Sequence, residues 1–247
     1  KILNKNKIIL IEDTCESLGS KYKNKYLGTF GEFSSFSFYS SHQISSGEGG
    51  MITCQNSEDY EIIKSLRSHG WSRGLKREKQ IAKKNNHLDS RFIFFNSGFN
   101  LRPTDVSAAI GHSQFKDMDK LTRSRNFNRQ KIVNSLKKND IINKNFYFIE
   151  PGKNVKPSWF GIPILIKDKL KRKNFVKKLE KNGIETRPII SGNFIKQPSV
   201  KKYNLVKNKK FKNSDIVNNH GFFIGLPIKK INSSFINRVI KTFEKNI

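Results

Sequence analysis

The apolar run Lys7-Ile-Ile-Leu-Ile-Glu-Asp13 shows no alternation and ends in two carboxylates. That is the pattern of a buried strand delivering acids at the carboxyl edge of an α/β sheet, where such folds bind ligands. After it, the pattern predicts a short helix from Cys15 to Gly19, a hairpin around Asn24-Lys25 within Lys21 to Phe30, and a strand from Ser34 to Tyr39. A turn at Gly47-Glu48-Gly49-Gly50 leads to a strand from Met51 to Cys54 and a helix from about Glu58 to Ser68. Residues 70–100 read as an irregular, polar, substrate-covering loop. Pro103 and a capping Thr104 open a helix whose Val106, Ala109, Ile110 and Ser113 keep one face lean and which runs, with a kink, to Lys138. A strand from Trp159 to Ile166, an amphipathic helix from Leu170 to Asn182 closed by Gly183, and a strand from Ile184 to Ile190 follow. The alternation predicts two α/β domains, 1–124 and 125–247, with no internal repeat.

Composition limits what such a chain can be. At 247 residues it can bury a real core, and 20 Phe offset a lean hydrophobic fraction of 35%. No run approaches the roughly 20 apolar residues of a membrane helix and no signal peptide opens the chain, so a soluble cytoplasmic protein is expected. Cys15 and Cys54 lack C-x-x-C spacing, so neither a disulfide framework nor a cysteine-built metal site is expected, and both read as small buried apolar residues. The charge of +28 is uneven: residues 1–119 hold 17 Lys/Arg against 13 Asp/Glu, net +4, and residues 120–247 hold 31 against 7, net +24. Such an excess invites a nucleic-acid reading. Against it, Lys, Asn and Ile are over-used throughout, and zinc-finger, ribonucleoprotein and basic-zipper signatures are absent. A basic nucleic-acid-binding module is kept as the outside alternative, and H-E-x-x-H, nucleophile-elbow and Walker patterns are missing.

The chemistry concentrates in Ile11-Glu-Asp-Thr-Cys-Glu-Ser-Leu-Gly19, Gly28-Thr-Phe-Gly31 and Ser35-Phe-Ser-Phe-Tyr-Ser-Ser-His-Gln-Ile-Ser-Ser-Gly-Glu-Gly-Gly50. These resemble the DegT/DnrJ/EryC1/StrS aminotransferase family, whose pattern runs E-D-x-A-x-x-x-G, G-x-x-G, S-F-x-x-x-K-x-x-x-x-G-E-G-G. Gly98-Phe-Asn-Leu-Arg-Pro-Thr-Asp-Val-Ser-Ala-Ala-Ile-Gly111 and Gly183-Ile-Glu-Thr-Arg-Pro188 extend the likeness along nearly the whole chain. The resemblance implies the fold-type I transferase architecture: the carboxyl-side part of a large mixed-sheet, cofactor-binding domain, and a small C-terminal α/β domain. It implies pyridoxal 5'-phosphate or pyridoxamine 5'-phosphate as cofactor, and a homodimer.

The departure that bears on the chemistry lies at residue 42. Where the family carries its imine-forming lysine, this chain has His42. Imidazole cannot form that bond, yet it carries protons near neutral pH. The exchange resembles the sugar 3-dehydratases of the family, as do Thr186-Arg-Pro-Ile-Ile-Ser-Gly-Asn193 and Gln197-Pro198. Only Cys54 lies downstream of His42, which disfavours the iron–sulfur type and leaves the cluster-free branch acting on GDP-linked sugars. Position by position, the resemblance implies His42 as the catalytic base. Asp13 would sit on the pyridinium nitrogen, Glu16 against the ring, Ser37 on the phosphate, and Asn100 on the phosphate of the neighbouring subunit's cofactor. Arg187, Asn193 and His220 are the substrate-side candidates; His69, which could line the sugar site, reads better as a loop histidine, and His87 and His112 carry no signal. The implied substrate is a nucleotide-linked 4-keto-6-deoxyhexose of surface-polysaccharide synthesis, with glutamate as amino donor. A sugar aminotransferase with its lysine supplied elsewhere, or an inactive relative, is the alternative. The chain enters at the Asp13 strand without an initiating methionine, so a fragment is expected, lacking an N-terminal phosphate cup and ring-stacking aromatic and exposing sheet edges and apolar surface.

Overall fold

The computed structural model describes residues 2–167, 171–204 and 210–247. They form two compact units, Lys1–Met118 and Asp119–Ile247. Among the described residues no helix is long and apolar enough to cross a membrane.

In the first unit a single helical turn, α1 (Ile2–Lys5), precedes β1 (Ile11–Asp13). The apolar run before Asp13 is therefore mostly not strand, and Ile8, Ile9 and Ile11 are 54%, 65% and 67% exposed. The reason is that among the described residues β1 has one neighbour, the parallel β4 (Phe33–Ser37), and lies at a sheet edge. Cys15 to Gly19 forms successive turns instead of a helix: Cys15 N–H donates to Asp13 Oδ1, Ser17 N–H to the Thr14 carbonyl and Ser20 N–H to the Ser17 carbonyl, each bond closing a turn that is not continued. Between these strands, β2 (Lys21–Tyr22) and β3 (Lys25–Tyr26) make the hairpin. Its two-residue loop is Lys23-Asn24, both left-handed at φ 47° and 65°, as a right-twisted hairpin requires, one residue earlier than the composition suggests.

Strand β4 pairs antiparallel with β5 (Gly50–Cys54), so the sheet order is β1-β4-β5. Helix α2 (Ser57–Arg67) follows, its start fixed by Asn56 Oδ1 accepting from Asp59 N–H at 2.8 Å. The stretch predicted irregular contains α3 (Glu78–Lys84) and one 3-10 turn at Ser90–Phe92. Ile81 on α3 packs with Leu75 and Ile93. The long helix is two: α4 (Asp105–Phe115), capped by Thr104, and α5 (Met118–Lys137), broken at Lys116-Asp117. Both cysteines are half-buried instead of buried.

In the second unit, α6 (Asp140–Asn145) leads into β6 (Phe146–Phe148) and the two-residue β7 (Val155–Lys156). Then come β8 (Gly161–Ile166), α7 (Arg172–Lys181), β9 (Thr186–Pro188), α8 (Pro198–Lys202), α9 (Lys212–His220), β10 (Gly221–Gly225) and α10 (Ser233–Asn246). The predicted first residue of the α7 helix, Leu170, lies outside the described residues. Strands β6-β8-β10-β9 form an antiparallel sheet. Period two puts Ile162, Ile164 and Ile166 of β8 inward. Phe222 pairs with Ile164 and Phe146 with Ile166. Phe175 and Leu179, one turn apart on α7, and Val239 and Phe243 on α10 close over this face. The rings of Phe146, Phe175 and Phe243 meet at centroid distances of 4.8, 5.4 and 5.5 Å.

Candidate active site

Glu12 and Asp13 are consecutive on β1, so their side chains leave opposite faces of the sheet and do different things. Glu12 points into the Gly28–Gly31 loop. Its Oε1 accepts from Phe30 N–H at 2.6 Å and Gly31 N–H at 2.7 Å, and its Oε2 from Gly28 N–H at 2.8 Å. Burial pushes its carboxyl up, but these three amides and the Ser34 hydroxyl outweigh that, and the group sits below the usual carboxylate range. Gly28 is left-handed at φ 87°, and a Cβ there would lie 2.4 Å from the Phe36 ring. Glu12 therefore explains why the acid pair and G-x-x-G occur together: one acid folds the other motif.

Asp13 points away from that loop and is exposed. Its Oδ1 accepts from Cys15 N–H at 3.2 Å and Ser35 Oγ at 3.3 Å. Hydrogen bonds from the Cys15 thiol and amide, and from Ser35, hold its carboxyl below the ordinary value against a smaller effect of burial. Burial and the neighbouring carboxylates Asp13 and Glu16 push the Cys15 thiol up.

His42 ends a turn after β4, closed by its N–H donating to the Tyr39 carbonyl at 3.0 Å. The ring stands edge-on to Tyr39 at 5.7 Å, and its side chain is 13% exposed. Nε2 lies 4.0 Å from Glu16 Oε1. This approach is built by the next residue, since buried Gln43 donates through Nε2 to the Glu16 carbonyl at 2.6 Å. Two residues further on, Ser45 N–H donates to Gln114 Oε1 of α4 at 2.9 Å, pinning the other end of the loop. Ser37 Oγ accepts from Tyr39 N–H at 3.3 Å, so its own proton remains available to donate. In the G-E-G-G turn a Cβ on Gly49 would meet Ser46 Oγ at 2.5 Å and one on Gly50 the Phe36 carbonyl at 2.9 Å, while Gly47 has open space around it and is left-handed at φ 84°.

Asn100 is exposed beside the end of α2, bridged through its backbone to Ser68, and its side chain makes no hydrogen bond among the described residues. In the second unit, Arg187 lies on β9, 60% exposed, paired with Glu185 at 3.0 Å. Asn193 is buried and engaged at both ends of its amide, Nδ2 donating to Asp215 at 2.9 Å and Oδ1 accepting from Ile195 N–H at 3.3 Å. Its contacts are those of a loop brace. His220 is the last residue of α9 and half-buried. The structure thus brings Asp13, Cys15 and Ser35 together, and Glu16, His42 and Gln43 together. Sequence reading missed Glu12, Ser35 and Gln43 as organisers of the site. For Glu12 the signal was present, in a G-x-x-G loop with buried amides and no other anion to face.

The donor set fits a pyridoxal-phosphate-type cofactor. An ionised carboxylate stands at a strand's carboxyl end, a serine hydroxyl keeps its proton for an anion, and a largely buried imidazole lies one loop away. A model of the DegT/DnrJ/EryC1/StrS aminotransferase family matches residues 1–244. The GDP-4-keto-6-deoxy-D-mannose 3-dehydratase of Escherichia coli is 35% identical over 230 residues, covering 91% of this chain and 58% of that protein. The enzyme of the same name from Yersinia pseudotuberculosis is 32% identical over 235 residues, covering 91% of this chain and 57% of its own length. A solved structure of the E. coli enzyme with bound hydrated PLP superposes with a TM-score of 0.86 at 32% identity, covering 98% of this chain and 62% of that one. The chain therefore spans less than two thirds of the length of these relatives.

Proposed function

We propose, from the premise that this chain belongs to the DegT/DnrJ/EryC1/StrS aminotransferase family, that it carries the catalytic histidine of a 3-dehydratase acting on a nucleotide-linked 4-keto-6-deoxyhexose, with GDP as the favoured nucleotide. The observation that carries this reading is His42, an imidazole held against Glu16 at the position where the family pattern has an imine-forming lysine. The overall reaction expels the sugar's 3-hydroxyl. Pyridoxamine 5'-phosphate, held without a covalent bond, supplies an electron-accepting ring and an amine for the sugar's keto carbon.

The residues of this chain divide the remaining work. Asp13, ionised at neutral pH, holds the proton on the ring nitrogen. His42 takes and returns the proton whose removal precedes loss of the hydroxyl, with Glu16 Oε1 4.0 Å from its Nε2. Ser37 donates to the phosphate. In the same reading glutamate regenerates the amine cofactor, Arg187 and His220 are the substrate-side contacts, Asn193 ties the segment after β9 to α9 through Asp215, and the enzyme is cytoplasmic. Asn100, with its side chain uncommitted, reaches the cofactor of a second subunit in a homodimer.

The test is attachment. In the complete polypeptide, dialysis should strip the cofactor, and borohydride reduction with pyridoxal phosphate should leave no adduct at residue 42. A stable adduct on a lysine of the site would favour the aminotransferase reading.

A further inference from the structure

The Ser35 hydroxyl and the Cys15 amide meet the same oxygen of the Asp13 carboxylate. Strand β1 runs parallel to β4 with Asp13 opposite Ser35, so the hydroxyl and the carboxylate are neighbours across the ladder. Ser35 Oγ and Cys15 N–H both reach Oδ1, at 3.3 and 3.2 Å, and Cys15 Sγ lies 3.5 Å from Ser35 Oγ. Ser35 has one proton. When it donates that proton to Asp13, its oxygen faces the Cys15 thiol, whose single proton lies within reach of both the Ser35 hydroxyl and the Asp13 carboxylate, so that the three groups form one polar cluster. The thiol, pushed up by burial and by the carboxylates beside it, stays protonated at neutral pH and so remains a donor. Thr14, between Asp13 and Cys15, locks the arrangement: its N–H and hydroxyl both donate to the Ser35 carbonyl, at 3.0 and 2.6 Å.

We propose that Ser35 and Cys15 are positioning residues that clasp Oδ1 of Asp13 and so present Oδ2 to the cofactor's ring nitrogen. The inference rests on the reading of Asp13 as the pyridinium's partner. The family pattern has alanine where this chain has Cys15, so the thiol is an addition to the site; of the hydrogen bonds that lower the Asp13 carboxyl, that of the Cys15 thiol acts most and that of Ser35 least. A carboxylate held by one oxygen cannot rotate freely between rotamers, and the partner's proton then meets a fixed acceptor. The charged group that also faces the thiol is Glu16. Glu12 leaves the opposite face of the strand.

The experiment follows Asp13 directly in the complete polypeptide, by carboxyl-carbon NMR titration of the cofactor-free protein and by titration with pyridoxamine phosphate. The variants are Ser35→Ala, Ser35→Thr, Cys15→Ala and, as reference, Asp13→Asn, each checked for an unchanged far-UV spectrum. Ser35→Ala should move the Asp13 titration upward and weaken pyridoxamine phosphate roughly three- to tenfold, the scale of one lost hydrogen bond to a charge. Cys15→Ala should act in the same direction and at least as strongly on the Asp13 titration, and Ser35→Thr, which restores a hydroxyl, should recover both readouts. An Asp13 titration unmoved by Ser35→Ala, or a loss of affinity that threonine does not rescue, overturns the clasp and leaves the reading of Asp13 standing. Undiminished affinity in Asp13→Asn overturns that reading, and the proposed role with it, even where the Asp13 titration still responds to Ser35.

Discussion

The two units hold themselves together by different means. In Asp119–Ile247 one continuous set of buried apolar side chains runs from Ile132 on α5 through the sheet to Phe243 on α10. In the first unit the corresponding cluster is Leu75, Ile81 and Ile93, while Ile11, Ile52, Phe99, Val106 and Phe115 are all more than half exposed. What shapes the first unit is polar. Glu12 gathers three loop amides, Thr14 ties β1 to β4, Gln43 fixes Glu16 near His42, and buried Glu61 accepts from Lys76 N–H at 2.6 Å. The candidate base His42 and the acids Asp13 and Glu16 lie in this polar unit. Hydrogen bonds are directional, so they place a carboxylate or an imidazole more sharply than apolar packing does, but each contributes modestly to stability.

The contrast can be broken at its strongest point. Phe243→Ala removes a fully buried ring that touches two others, and should cost the second unit about 3–5 kcal/mol, read as a fall in its denaturant midpoint. A loss below about 1 kcal/mol would mean that the cluster does not behave as a close-packed core.

A smaller effect is expected at Glu12. Glu12→Gln keeps the size but turns one acceptor oxygen into a donor facing an amide N–H, and should cost about 1–3 kcal/mol. Because the folded carboxyl sits below its ordinary value, its contribution is fully present above the ordinary carboxylate range and is lost as pH falls through the folded value. The stability gap between Glu12→Gln and the unmodified protein should therefore close on acidification. A gap independent of pH would show that loop packing, not the charge, is at stake.

The smallest effect is predicted on α4. Val106→Ser alters a side chain that is 71% exposed, and within this chain should change stability by no more than about 0.5 kcal/mol. A cost comparable to that of Phe243→Ala would show this residue buried in the protein studied.

How far the sequence could be read tracks the same divide. Helix α2 and strand β8 lie close to where their patterns place them, since Asn56 caps the one and an alternating isoleucine set marks the other. The run before Asp13 misleads because an apolar sequence reports a preference for burial and not the presence of a neighbour to bury against. Helix α3 was hidden because it buries only Ile81, too little to set a period in a stretch crowded with Lys and Asn. His42 was legible as a departure from a pattern, and Asp13 as a match to one. The residues that orient them were not, because Ser35 lies 22 residues from Asp13 and Gln43 lies 27 from Glu16. Asn193 shows the converse: a motif asparagine that looks like a ligand contact spends its amide on Asp215 and on the turn it caps.

The central claim is that His42 makes this site eliminate a hydroxyl instead of installing an amine. The most direct measurement is mass analysis of the sugar product when the complete polypeptide is given a GDP-linked 4-keto-6-deoxyhexose, pyridoxal phosphate and glutamate. The unmodified protein should yield the 3-deoxy keto sugar. His42→Asn should keep pyridoxamine phosphate binding and yield none, and His42→Lys should shift product toward amino sugar. An amino sugar with its 3-hydroxyl intact, made by the unmodified protein, would contradict the claim.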